Sequence, residues 1–175
     1  MNNIVLCGFM GCGKSTVGKN IARKSGRKFL DMDSYIEEKA GMTVSEIFEK
    51  YGEEKFRDME HDACVELSGL EGLVIASGGG AFTFKRNVEA FKGKDKIVFL
   101  DVPLGIIKSR LKNDTTRPLL QRPDRDRVMK DLYDPIYHAA ADIVVKGKNT
   151  PLKTAFAIID AVSGTDVAEK PHKND

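Results

Sequence analysis

A chain of 175 residues with 28 basic and 26 acidic side chains, net charge +2, lacks both the basic excess that marks nucleic-acid or acidic-membrane partners and the length for a second full domain. Its 41% hydrophobic and 31% charged residues give a globular balance, and apolar runs of about five residues fall far short of the ~20 that cross a bilayer. A single domain over residues 1–163, acting as a monomer in the cytoplasm without a signal peptide, is expected, followed by a polar tail at 164–175 that is expected to be disordered.

The β-branched run at 3–7 reads as a strand and leads directly into GFMGCGKST. There Gly8, Gly13, Lys14 and Ser15 match G-x-x-x-x-G-K-[ST], with a strand before them and a helical period after them at 14–25. Each residue type has a task. Glycine lets the backbone turn its N–H groups inward around phosphate oxygens, and the helix start adds the positive end of its dipole at the same point. Lys14 can reach the outer phosphates of a nucleotide, and Ser15 can offer a hydroxyl oxygen to Mg²⁺. Gly11, Cys12 and Thr16 complete the loop, so ATP and Mg²⁺ are the expected cofactors.

A second strand at 28–31 ends at Asp31, and Asp33 follows at the start of a helix over 33–40. Ligands of an open parallel sheet bind beyond the carboxyl ends of its strands, so both carboxylates should face the transferable phosphate. Asp31 suits a water of the metal shell and Asp33 an acceptor hydroxyl, with helix capping by Asp33 as the alternative. Helical periods at 43–51 and 52–67 come next, the first opened by a Thr43/Glu46 capping box. On the second, Arg57 and Glu60 share a face and suit either an exposed ion pair or a guanidinium fork aimed at a carboxylate. A strand at 73–76 then runs into Gly78, Gly79 and Gly80, which serve either to turn the chain or to bare N–H groups for a small polar ligand.

Helices at 84–91, 104–112, 124–140 and 151–162 alternate with strands at 96–100 and 142–145. This α/β alternation indicates a parallel sheet covered by helices, and Ile, Val and Leu without strict alternation suit strands buried on both faces. Gly41 and Gly93 suit helix stops, and Thr150 with Pro151 suits a helix start. The polar stretch 113–123, rich in Arg, Thr and Pro, reads as a mobile loop. Cys7, Cys12 and Cys64 show no CxxC spacing and the three histidines no ligand spacing, so reduced thiols are expected and a zinc site is not.

Taken together, GFMGCGKST, the DMD pair, FRDME, SGGG and TRPLL resemble the shikimate kinases, over about residues 2–162. The resemblance implies a three-layer P-loop fold like that of nucleoside monophosphate kinases, with five parallel strands in the order 2-3-1-4-5. It also implies transfer of the ATP γ-phosphate to the 3-hydroxyl of shikimate. Lys14 and Ser15 would then serve nucleotide and metal, Asp31 a metal-bound water, and Asp33 the acceptor hydroxyls, within an acceptor region at 31–61. Arg57 and Gly79 would contact shikimate, Arg57 at its carboxylate, with Glu60 steadying the arginine and Phe48 and Phe56 walling the ring. Arg117 would reach the phosphates from a lid at about 112–123, joining Lys14 and Asp33 in catalysis, and Arg110 would stack near adenine.

One position departs from the family pattern. The run YDPIYHAAA puts Tyr133 where the family has an arginine that makes a second contact to the substrate carboxylate, and Lys130, one helical turn earlier, is the candidate to supply the missing charge. A kinase of the same fold for another hydroxy acid, such as gluconate, and a non-catalytic ATP-binding regulatory module are the competing expectations.

Overall fold

The computed structural model describes residues 2–111, 127, 134–147 and 150–168. The strands are β1 (Ile4–Cys7), β2 (Lys28–Asp31), β3 (Leu73–Ala76), β4 (Lys96–Asp101) and β5 (Ile143–Lys146). They form one parallel sheet in the order β2-β3-β1-β4-β5, as the resemblance implies. Burial on both faces holds for β1, β3 and the middle of β4 but not for β2 and β5. Those two are edges, where charged residues such as Lys28 and Lys146 suit a rim that must not pair with another chain.

Because successive strand residues point to opposite faces, each strand feeds two apolar layers. Val5, Cys7, Ile75, Ile97 and Phe99 face a core shared with α2 (Met32–Ala40), α3 (Val44–Ser68), α4 (Lys85–Phe91) and α6 (Asp134–Ala140). Ile4, Leu6, Val74, Val98 and Leu100 face the other, built with α1 (Lys14–Ser25), α5 (Leu104–Arg110) and α7 (Pro151–Ala168). The end of the sheet away from the strands' carboxyl termini is pinned by Asn3. It is fully buried, donates from Nδ2 to the Leu70 carbonyl at 2.9 Å and accepts from the Leu73 N–H at 2.9 Å.

Several element ends differ from the sequence expectation for identifiable reasons. Helix α2 starts at Met32 because its N-cap is Asp31, which accepts from the Ser34 N–H; capping therefore does not fall to Asp33. The two helices expected at 43–51 and 52–67 run on as α3, broken at Gly52, whose φ of 80° no helix interior adopts. The capping box at its start is present, with Glu46 Oε2 2.7 Å from the Thr43 N–H. A 3-10 turn, Ala81–Thr83, which the sequence did not announce, precedes α4. Helix α7 continues to Ala168, beyond the expected end at 162, since no proline interrupts its hydrogen-bond ladder before Pro171. The expected lid, Arg117, Lys130 and Tyr133, and the end of the tail from 169 onward lie outside the described residues. No helix among the described residues is long and apolar enough to cross a membrane.

Candidate active site

A cleft of about 980 Å³ opens beyond the carboxyl ends of all five strands, and its walls come from the loops that leave them. The loop after β1 forms the floor. Gly13 caps α1 with φ 98°, a left-handed conformation that a side chain would resist, and this turn starts the helix at Lys14. The Lys14 ammonium is buried and folds back over the loop, donating to the carbonyls of Gly8 at 2.7 Å and Phe9 at 3.1 Å. Ser15 Oγ donates to Asp31 Oδ2 at 2.7 Å, so a hydroxyl oxygen and a carboxylate oxygen meet at the foot of the cleft. Hard oxygen donors of this kind, few in number and beside a phosphate-binding loop, fit Mg²⁺, which keeps several waters and takes only one or two protein ligands.

Arg110 reaches this loop from the end of α5, donating from Nη1 to the carbonyls of Gly11 at 3.2 Å and Cys12 at 3.1 Å. Its side chain also lines the cleft at this loop. The reason for the two contacts is local: a planar trans peptide that turns its N–H inward turns its carbonyl outward, where a guanidinium can reach it. Cys12 is buried, its sulfur 3.1 Å from the point where a Cβ on Gly8 would stand, and it packs with the apolar cluster around Val17 and Leu100. Cys7, Cys12 and Cys64 are all free and buried.

The opposite wall carries the residues expected at the acceptor. Asp33, Phe48, Phe56, Arg57, Gly79 and Gly80 all line the same cleft as Lys14 and Ser15. The rings of Phe48 and Phe56 lie 4.8 Å apart. Arg57 is held on several sides: Nη1 donates to Glu60 Oε2 at 2.6 Å, Nε and Nη2 donate to Glu53 Oε1 at 3.2 and 3.0 Å, and Phe56 and Phe84 flank the guanidinium at 5.5 and 5.3 Å. Of five N–H bonds these contacts use three, which leaves one on each Nη. A surface ion pair is excluded, because Glu60 is only 1% exposed.

Gly78 and Glu60 do not line the cleft; they stand behind it. A Cβ on Gly78 would lie 2.7 Å from both Asp33 Oδ1 and Glu60 Oε1, so glycine is required there to let two carboxylates close on the backbone. Burial pushes the Glu60 carboxyl up to about 7, against the pull of Arg57 and with help from the charge of Asp33. A raised folded-state pKa means that this group's stabilisation is complete below its ordinary value of 4.5 and is lost as pH rises to about 7, an effect of about 3 kcal/mol. Glu60→Gln is therefore expected to flatten the fall in unfolding free energy between pH 5 and 8, measured by urea denaturation. An unchanged slope would assign the titration to another group.

Sequence reasoning missed part of the wall. Val102 follows β4, Pro151 and Thr154 open α7 after β5, and Glu37 and Ser45 stand on the acceptor side. The first three were findable, since they sit beyond the carboxyl ends of strands placed correctly from the sequence. Glu37 carried no such signal. Its Oε1 accepts from the Val44 N–H at 2.9 Å, a contact that closes α2 onto α3.

Comparison with known proteins agrees with this geometry. The family model described as shikimate kinase matches residues 10–163. A shikimate kinase from Geobacter sulfurreducens is 45% identical over 140 residues, covering 80% of this chain and 77% of its own. One from Sulfurihydrogenibium sp. is 41% identical over 165 residues, covering 93% and 98%. Among solved structures, shikimate kinase from Acinetobacter baumannii, in complex with shikimate, superposes with a TM-score of 0.87 at 37% identity, covering 94% of each chain. A gluconokinase from Sinorhizobium meliloti reaches a TM-score of 0.56 at 15% identity, which speaks for a shared fold alone. A phosphate loop and an acceptor wall in one cleft, a matching family model over most of the chain and near-full-length relatives lead to one conclusion: the chain belongs to the shikimate kinase family.

Proposed function

We propose that the protein transfers the γ-phosphate of ATP to the 3-hydroxyl of shikimate, with Mg²⁺ as the metal. The observation that carries this reading is the single cleft that holds Lys14 and Ser15 on one side and Asp33 and Arg57 on the other. When bound at Ser15 and Asp31, Mg²⁺ would neutralise charge on the phosphates. The chain's own residues do the rest. Lys14, whose ammonium donates to the two loop carbonyls and lies 3.9 Å from Cys12 Sγ, brings positive charge to the donor. Arg57 offers its two remaining N–H bonds to the carboxylate of the acid, which orients the ring against the wall made by Phe48 and Phe56. Asp33 takes the hydrogen bond of the acceptor hydroxyl. Phosphoryl transfer passes through a loose transition state, so this alignment and charge neutralisation matter more than a strong base.

The test is an assay of ADP formation with Mg-ATP and a panel of hydroxy acids. Shikimate-dependent ADP is expected; turnover with gluconate alone would favour the other acceptor, and no acceptor-dependent ADP would favour a regulatory nucleotide-binding module. Arg117 is assigned to the phosphates on the strength of TRPLL, as the family resemblance implies. Tyr133 bears on substrate affinity. A phenol provides one neutral hydrogen bond where the family has a charged pair, a deficit of about 1.5 to 3 kcal/mol. Tyr133→Arg is accordingly expected to lower the KM for shikimate by about tenfold or more, with the KM for ATP as the internal control.

A further inference from the structure

Tyr137 lies on α6, does not line the cleft and is 1% exposed. Its ring stacks on Phe99 with centroids 5.3 Å apart at 25°, and its hydroxyl donates to the carbonyl oxygen of Gly79. Two further relations make this contact more than packing. Phe99 pairs in register with Cys7, the residue that leads into the phosphate loop. On its other side Gly79 lies against that loop, the point where its Cβ would stand being 3.5 Å from Met10. The glycine segment is thus held between the donor loop and a phenol that rests on the strand beneath the donor loop.

We infer that the Tyr137 hydroxyl is a positioning residue that sets the Gly79–Gly80 peptide for the acceptor. A trans peptide is planar, with its carbonyl and its following N–H opposed. Fixing the Gly79 carbonyl toward Tyr137 therefore turns the Gly80 N–H the other way, while Gly80 itself lines the cleft beside the two Nη atoms of Arg57. Without the phenol that peptide is free to rotate, and the acceptor meets a donor of the wrong orientation. The next carbonyl, that of Gly80, accepts from the Thr83 N–H at 3.2 Å and from Thr83 Oγ1 at 2.7 Å, and Asn87 Nδ2 donates to the Ala81 carbonyl at 2.8 Å, so rotation of the one peptide does not require the turn to unfold.

This inference rests on the proposed acceptor chemistry, and the experiment separates the two. Wild type and Tyr137→Phe are assayed with Mg-ATP and shikimate, and the melting midpoint of each is recorded. Phenylalanine retains the ring and its stacking and removes one oxygen. The expected result is a KM for shikimate raised about tenfold, the loss of one buried hydrogen bond, with the KM for ATP and kcat within about twofold of wild type. Equal KM values for shikimate, whatever the melting midpoint, overturn the inference while leaving the proposed function standing. A parallel rise in both KM values also overturns it, because that is what general loosening produces. A wild type that forms no ADP with shikimate overturns both.

Discussion

Exchanging Asp33 for asparagine is expected to leave the fold intact and to lower kcat by roughly 10²- to 10⁴-fold, the range a positioned acid–base group supplies. The fold survives because Asp33 is not the cap of α2; that contact belongs to Asp31. Asparagine has nearly the same shape, so the close approach to Gly78 is kept. On the proposed reading, what is lost is the carboxylate that takes the hydroxyl proton, in the cleft that also holds Lys14 and Ser15. Steady-state kinetics with shikimate and circular dichroism check the two halves. Turnover within about threefold of wild type, well below the contribution of such a group, would remove Asp33 from the reacting atoms.

Arg57→Ala should act twice. The KM for shikimate is expected to rise by about ten- to a hundredfold, as when a charge-assisted contact to a carboxylate is deleted. Stability should fall as well, since Glu60 is buried and loses the partner that lies 2.6 Å away. Removing one member of such a pair costs about 3 to 5 kcal/mol when the other remains charged. Here the pH decides how much of that cost is felt. Burial holds Glu60 up at about 7 even with Arg57 beside it, and without the arginine it keeps its proton to higher pH still. The variant should therefore lose little stability at pH 5, where the carboxyl is neutral, and most at pH 8. Urea titrations at both values, compared with wild type, measure this; equal losses at both would show that the pair is not the origin of the cost.

The two variants probe opposite demands on one small region. Asp33, Glu60 and Arg57 all converge on the three glycines after β3: two carboxylates lie within 2.7 Å of a Cβ on Gly78, and the guanidinium within 3.1 Å of one on Gly80. A side chain at Gly78 would force both acids apart. This wall of the cleft is therefore shaped as much by absent side chains as by those present.

What the sequence determined by itself was local: the glycines and Lys14 of the first loop, the capping box at Thr43, the boundaries of β2 and β3, and the alternation that demands a parallel sheet. These follow from short-range sterics, from hydrogen bonds within a few residues and from apolar periodicity, all of which can be read along the chain. Tertiary structure alone decided that Arg110 lies on the phosphate loop, that Glu60 is buried and titrates near neutrality, and that Tyr137 holds Gly79 from 58 residues away. Such contacts depend on how the sheet stacks its helices and on which groups packing strips of water, and neither quantity is a property of neighbours in sequence.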